Sequence, residues 1–392
     1  MVKVSHWPRG NQTGQGHRSA MKILHCMATL EGGGAERQLC YLAKGLVDAG
    51  HDVVVACMRL GVNGARLRLS GATIDVSGHP LSSPRNLWHL IRMLRQVRPD
   101  IVQTWLLPMD VWGGMAAIWT RTPWILSERT STAHYNHLTF PLQVRRRVAQ
   151  RVSMIVANSR DGQNYWRKEL EGKGLAPRLI RNALPLAELG VVVPARPASI
   201  GGAERIILYA GRLDPGKNLR TLLLALPIVL KSEPFQVLIC GIGPDSAQLQ
   251  QLALDLSVAK QVRFLGYVDN LSALMKAADV FVSVSRYEGQ PNAVMEAMAC
   301  GCPLVVSDIP EHREFLNEQA AFFAQPESAA DIAEQILRAL QSPSLAFEKA
   351  QKARAIAQNW GIGEATQQYL EAYRSLMPAG ANRSEAPSSH SR

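Results

Sequence analysis

Apolar runs of strand length recur along the whole chain. They read KILHCMA, DVVVACM, DIVQTW, WILSE and MIVANS in the first half, then RIILYAG, FQVLICG, VRFLG, DVFVSVS and PLVVSD in the second. Between many of them lie segments whose apolar residues return every three or four positions, such as ERQLCYLAKGLVDAG, NLRTLLLALPIVLK and SAQLQQLALDLSVA. An unbroken apolar run suits a strand covered on both faces, and the helical period suits the cover. The pattern therefore predicts an α/β architecture of parallel sheets flanked by helices.

The alternation breaks once, near residues 186–204 (LAELGVVVPARPASIGGAE), where prolines, glycines and small residues read as a connection. A chain of 392 residues also exceeds what one core usually supports, so two doubly wound domains are expected. We place the first at 21–190, a linker at 191–204 and the second at 205–360. The helical stretch 361–377 (GIGEATQQYLEAYRSLM) comes after the second domain's strands and is free to cross back onto the first. Residues 1–20 are polar and basic without an apolar centre, so they read as a disordered extension and not as a signal peptide. Residues 378–392 read as a disordered tail. Ligands of such sheets sit beyond the carboxyl ends of the strands, so two facing domains leave a deep cleft between them.

Composition excludes some classes. No uncharged, proline-free apolar stretch reaches the roughly 18 residues of a spanning helix. The nearest, TWLLPMDVWGGMAAIWT, is interrupted by Pro108 and Asp110. The six cysteines show no C-x-x-C pair, which suits reduced, buried thiols in a cytosolic protein. No His/Cys cluster has zinc spacing and no D-x-D occurs, so neither a metal nor a cofactor is expected. The net charge of +11 is uneven: residues 1–200 hold 26 Lys and Arg against 12 Asp and Glu, while residues 201–392 hold 17 against 20. Such a basic half is compatible with nucleic acid or an anionic membrane surface, but no nucleic-acid module is recognisable. In the stretch 85–98, Arg85, Arg92, Arg95 and Arg98 recur at helical spacing around Trp88, and VRRRVAQR follows at 144–151. Either these are solvated helix faces or they dock on anionic lipid headgroups.

Several strand ends carry candidate chemistry. Arg212 and Lys217 lie in RLDPGKN, between a strand and a helix, where two cations suit a diphosphate or simply a solvated loop. Gly243 lies in ICGIGPDS, a Gly-rich turn that is weak evidence by itself. In YEGQPNAVMEAMAC, Glu288 ends a strand, Pro291 suits the first helical position, and Glu296 stands well inside the helix. Free amides around 289–293 suit an anion, and Glu296 suits adjacent hydroxyls or an ion pair on an exposed face. In MATLEGGGAERQ, three glycines let backbone approach a ligand or form a flexible turn, and Glu36 and Arg37 open the helix. Glu128 and Arg129 end the strand WILSE, and Asn158 and Ser159 end MIVANS, where a cap is as good a reading as a contact.

The run SRYEGQPNAVMEAMACGCPLVVSDIPEHREF resembles the E-x7-E region of retaining glycosyltransferase family 4. AGRLDPGKN, GIGP and FLGYVDNLSALMKAADVFVSVS precede it in that family's order, and GGGAERQ resembles its N-terminal glycine loop. The resemblance covers roughly residues 21–377. It implies the GT-B fold, two Rossmann-like domains around a donor cleft. It implies that Arg212 and Lys217 bind the diphosphate of a nucleotide-sugar donor, a UDP-sugar or GDP-mannose, and that Glu288 meets the transferred sugar. By the same resemblance Glu296 holds the ribose, the backbone around Gly289, Gln290, Pro291 and Asn292 meets sugar and phosphate, and Tyr267 or Val268 lies near the base. Gly33 and Gly34 approach from the opposite domain. The acceptor, a glycan or lipid-linked precursor of cell-surface polysaccharide or lipopolysaccharide, would lie on the side of Glu36, Arg37, Glu128 and Arg129. Many relatives carry a histidine there; this chain reads Ser127-Glu128-Arg129, with His134 and His137 following. Asn182 resembles an interdomain connection. The expectation is a retaining, metal-independent hexosyltransferase at the inner face of the cell membrane. A GT-B nucleotide-sugar epimerase and a non-catalytic nucleotide-sugar-binding subunit are the alternatives.

Overall fold

The computed structural model describes residues 20–137, 139–197, 200, 204–232 and 234–377. The basic extension and the tail expected to be disordered lie outside the described residues, Ala20 excepted. All ten strands read from the sequence form. The first sheet contains β1 (Lys22–Thr29), β2 (Asp52–Arg59), β3 (Thr73–Val76), β4 (Ile101–Trp105), β5 (Trp124–Glu128), β6 (Met154–Ala157) and β7 (Arg178–Leu179), in the order β3-β2-β1-β4-β5-β6-β7. The second contains β8 (Arg205–Ala210), β9 (Phe235–Cys240), β10 (Val262–Gly266), β11 (Val280–Ser283), β12 (Leu304–Ser307) and β13 (Phe322–Ala324), in the order β10-β9-β8-β11-β12-β13. Every pairing is parallel.

The strands are apolar throughout because both faces are covered. On β2, Val53, Val55 and Cys57 enter one core layer while Val54, Ala56 and Met58 enter the other. On β8 the same alternation sends Ile207 and Tyr209 one way and Ile206 and Leu208 the other. The six cysteines are free and buried. The stretch read as a linker is fastened along the second domain: Lys276 Nζ donates to the carbonyls of Gly190 (3.1 Å) and Val192 (2.8 Å), and Ile200 is buried in that domain's core.

The last helix, Ile362–Arg374, returns to the first domain. Its Tyr369, Leu370, Ala372 and Tyr373 complete a core layer beneath the first sheet, and the Tyr373 hydroxyl donates to Gln103 on β4. Gly45 permits this approach, since a Cβ there would stand 2.0 Å from Thr366 Oγ1. Among the described residues no helix is long and apolar enough to cross a membrane.

Candidate active site

Each sheet has one place where the strand order reverses: between β1 and β4 in the first, between β8 and β11 in the second. Loops leaving such neighbours diverge to opposite faces and open a crevice at the carboxyl ends. The glycine loop follows β1. The Arg212–Lys217 loop follows β8, and the Glu288 loop follows β11. Topology thus gathers the strongest sequence signals at two facing crevices.

In the second domain, a short turn delivers Lys217. Asp214 accepts hydrogen bonds from the amides of Gly216 (3.0 Å) and Lys217 (3.3 Å), capping the single turn Pro215–Lys217. Asn218 then turns left-handed at φ 58° while its amide donates to the carbonyls of Val284 (3.1 Å) and Pro326 (2.6 Å). So held, Lys217 Nζ lies 2.6 and 2.7 Å from the two carboxylate oxygens of Glu288. Ser285 Oγ donates to the same carboxylate at 2.7 Å. Burial alone would raise the Glu288 pKa, but the Lys217 ammonium and the Ser285 hydroxyl together outweigh it and hold the carboxyl below its ordinary range. Arg212 is largely exposed, its Nε 3.6 Å from Asp214. Gly243 has a packing role: its loop folds onto the Arg212 loop, and a Cβ would stand 2.1 Å from the Leu213 carbonyl. Tyr267 is exposed and Val268 packs at the edge of the core.

The helix of the double-glutamate stretch runs Asn292–Cys300, with Pro291 as the residue before it. Pro291 thus stands one position earlier than expected. The side chains of Gln290 and Asn292 bond across the domain junction. Gln290 Oε1 accepts from the Asn182 amide (2.6 Å), and Asn292 Oδ1 accepts from the Asn182 side chain (2.8 Å), so both join the two domains. Gly34 faces Asn292 so closely that a Cβ would lie 2.3 Å from its amide nitrogen. Gly289 similarly faces the Arg129 carbonyl of the first domain, 3.1 Å from where its Cβ would be.

Glu296 lies 3.1 Å from Arg37 Nη1 of the first domain. That carboxylate, first among the causes, raises the Arg37 pKa; Tyr41 and Tyr267 act on the guanidinium in the same direction. Arg37, expected on the acceptor side, therefore stands on the Glu296 side. Glu36 does not face an acceptor either. It turns back to accept from the Gly32 amide, the Gly33 amide (2.8 Å) and Thr29 Oγ1 (2.8 Å), and so rigidifies the glycine loop. Gln38 exchanges hydrogen bonds with the backbone of Ala183 (2.6 and 2.9 Å), beside Asn182.

The strand end at Glu128 is a correction. Glu128 is buried and saturated: it accepts from Arg145 Nη1 (2.9 Å), Tyr135 OH (2.6 Å), Trp166 Nε1 (2.8 Å) and the Thr130 amide (3.0 Å). Arg145 also meets Asp110 at 2.7 Å, and Asp110 accepts from Thr104 Oγ1 at 2.6 Å. One buried arginine thus serves two buried carboxylates, and burial pushes Asp110 up to about 7 against the opposing pull of Arg145. Arg129 is buried too, over the Trp105 ring at 4.7 Å, donating to Asn182 Oδ1 (2.9 Å) and to the Tyr369 hydroxyl of the last helix. Burial lowers its pKa to about 10. Ser159 caps the helix Arg160–Glu169, accepting from the Gly162 amide at 3.2 Å, and Asn158 is buried beside Asn182 at 3.4 Å. The side chains of His134 and His137 lie outside the described residues.

Several of the contacts around these crevices escaped the sequence reading. Ser285 and Lys217 share the Glu288 carboxylate, yet nothing in RLDPGKN announces that partner. His312 is fully buried with Nδ1 2.8 Å from the Ser307 carbonyl, and Ser307 Oγ in turn donates to the Ser285 carbonyl at 2.7 Å, fixing the loop from behind. Arg181 and the Arg160 amide both reach Glu314 of the second domain, at 2.5 and 3.0 Å.

With both crevices described, the chain can be set beside known proteins. Residues 32–187 match the family model for Glycosyltransferase Family 4, and residues 196–360 match that for Glycosyl transferases group 1. Each half is therefore similar to a glycosyltransferase family model, and the two Rossmann-like domains have the GT-B fold. Over 290 residues the chain is 26% identical to the lipopolysaccharide core biosynthesis glycosyltransferase LpsD of Rhizobium meliloti, covering 73% of this chain and 78% of that protein. It is 35% identical over 191 residues to the glycogen synthase of Mycobacterium tuberculosis, 47% of this chain and 45% of that one. The solved structure of Anabaena HepE with UDP-glucose superimposes with a TM-score of 0.79 at 23% identity, over 91% of this chain and 100% of that chain. The chain spans less than half the length of the first curated relatives it matches.

Proposed function

We propose that the chain is a retaining, metal-independent glycosyltransferase that moves a hexose from a UDP-sugar or GDP-mannose to a glycan or lipid-linked acceptor. The observation that carries this reading is the Lys217–Glu288–Ser285 cluster at the switch point of the second sheet, facing the glycine loop of the first. A lysine ammonium has three donors. Two engage Glu288, which leaves one for a diphosphate oxygen. Arg212, exposed at the same crevice, supplies a second positive charge. Together they offset the charge that builds on the leaving diphosphate.

Glu288 stays ionised at neutral pH, so it accepts hydrogen bonds from hydroxyls of the sugar and orients the ring. Its ionised carboxylate also favours positive charge on that ring. Glu296 takes the ribose hydroxyls, with Tyr267 or Val268 at the base. In the transfer, the bond from the anomeric carbon to the diphosphate oxygen breaks. The acceptor oxygen bonds to that carbon from the same face, and the acceptor proton passes to a diphosphate oxygen. Synthesis of cell-surface polysaccharide or lipopolysaccharide is the setting we infer, on the cytoplasmic side.

The test is a thermal-shift screen of UDP- and GDP-sugars, followed by transfer assays with Arg212→Ala and Glu288→Ala proteins. One donor should raise the melting temperature by mass action. Unimpaired transfer by both variants would defeat the assignment.

A further inference from the structure

The helix Leu107–Thr120 is the middle of three neighbours on one face of the first sheet, with Arg85–Val97 on one side and Thr139–Ala149 on the other. Its single charged residue, Asp110, is buried on Arg145, so its outward stripe carries no charge. What it shows to solvent is Met115 and, one turn further, Trp119, 61% exposed. Trp88 of the preceding helix is 63% exposed and meets Trp119 edge-on, ring centroids 6.2 Å apart. Phe140 of the following helix is 72% exposed. Four large apolar side chains thus stand outward across three adjacent helices, and two of them are tryptophans in contact.

The charges around them have one sign. Arg85, Arg92, Arg95, Arg121 and Arg147 are exposed on these helices or at their ends, and among the described residues none of them forms a salt bridge. Between Asp75 and Asp161 the chain has only three acids. Asp110 and Glu128 are buried on Arg145, and Asp100 accepts from the Lys22 amide at 2.7 Å. Asp75 and Glu169, just outside the interval, are taken up by His89 at 2.6 Å and Arg146 at 3.1 Å, so among the described residues no salt bridge offsets the five arginines. Every cation in that interval is arginine, whose planar fork matches phosphate oxygens in pairs.

From this juxtaposition we infer that the face formed by Trp88, Trp119, Met115 and Phe140, with Arg85, Arg92, Arg121 and Arg147 on the same helices or at their ends, docks on an anionic phospholipid bilayer. Indole rings settle where an apolar body meets a wet headgroup layer, and arginines beside them neutralise lipid phosphates. A carboxylate-bearing protein partner would call for directional pairing positions; here exposed arginines outside any salt bridge share three adjacent helices, or their ends, with exposed indoles, which suits a fluid plane of phosphates. The inference names the surface on which the proposed transfer would take place, and its test is read separately from donor binding.

The experiment is flotation of the full chain with vesicles of phosphatidylglycerol and phosphatidylcholine, or of phosphatidylcholine alone, at low and high salt. The wild-type protein should float with the anionic vesicles and partly detach in high salt. The Trp88→Ala/Trp119→Ala protein should lose about tenfold in partitioning, because two buried rings are removed. An Arg85→Glu/Arg92→Glu protein should no longer float. Both variants should keep the wild-type melting temperature and its shift with the donor sugar, since none of these side chains is in the core or the crevice. Failure of the wild type to float, or flotation unchanged in both variants, would overturn the inference. So would a wild-type dimer in solution that Trp88→Ala/Trp119→Ala dissolves, which would assign the face to a second copy. Loss of the donor shift in the wild type would count against the transferase reading and leave the docking result standing.

Discussion

Glu128 and Glu288 occupy matching positions, one just inside the end of β5, the other just beyond β11, both buried and both paired with a cation. Their partners set them apart. Glu128 meets a fully buried arginine, a tyrosine, an indole and an amide, so every acceptor position is used from within the protein. Glu288 meets a serine and a lysine whose side chain is 27% exposed. A carboxylate closed on all sides holds a fold together. One whose cation still reaches the crevice can exchange part of its pairing for a ligand. Position at a strand end is thus necessary for such a site but does not suffice.

The sharpest way to break the comparison is to remove the two acids. Glu128→Ala leaves Arg145 with one carboxylate fewer in a dry interior and should cost about 3–5 kcal/mol of stability, read by denaturant unfolding. Glu288→Ala, whose partner Lys217 still reaches solvent, should lower the melting temperature by clearly less than Glu128→Ala while transfer falls. If Glu288→Ala unfolds the protein and Glu128→Ala does not, the contrast is reversed. Next in size, Lys217→Ala should lower kcat by about a hundredfold, the scale of one lost charge-stabilising donor. Arg212→Ala, with its exposed and loosely held side chain, should lower kcat by only about tenfold under the same assay.

The smallest effect is in pH, where the two clusters should have opposite signs. The Glu288 carboxyl is held below its ordinary value of 4.5, so its contribution is complete above that pH and fades as pH falls toward the lower folded value. Asp110 is pushed up to about 7, so the proton it holds stabilises the fold at low pH, and that contribution is lost as pH rises through about 7. Melting temperature should therefore decline gently as pH rises from the ordinary carboxyl value of 3.8 to about 7, and level off above it. Asp110→Asn, which keeps the shape without the charge, should flatten that decline; an unaltered slope would remove Asp110 as its source.

How much of this was legible beforehand follows from what each feature depends on. The ten strands announced themselves because both their faces are covered and their residues are apolar without a break. The three that gave no signal, Thr73–Val76, Arg178–Leu179 and Phe322–Ala324, are short and lie at sheet edges, where a long apolar run is not needed. The crevice was legible where local grammar decides it, as in the glycines after β1 and the proline before Asn292. It was not legible where a distant residue closes the circuit. Arg145 stands 17 positions from Glu128, and nothing in WILSERTS says that it will fold back onto the strand. Arg37 and Glu296 stand 259 positions apart, so only the meeting of the domains joins them.

The last helix gives the molecule an order of assembly. A ribosome releases the first sheet long before it reaches Ile362, and until then the face that Tyr369, Leu370 and Tyr373 will cover is open to water. Arg129 meanwhile lacks one of its hydrogen-bonding partners, the Tyr369 hydroxyl. The domain made first is thus the domain finished last. A nascent chain stalled after its second domain would carry an uncapped apolar surface, a natural handle for a chaperone. Shortening the C-terminus by one helix should accordingly cripple the N-terminal half, the part of the sequence farthest from the cut.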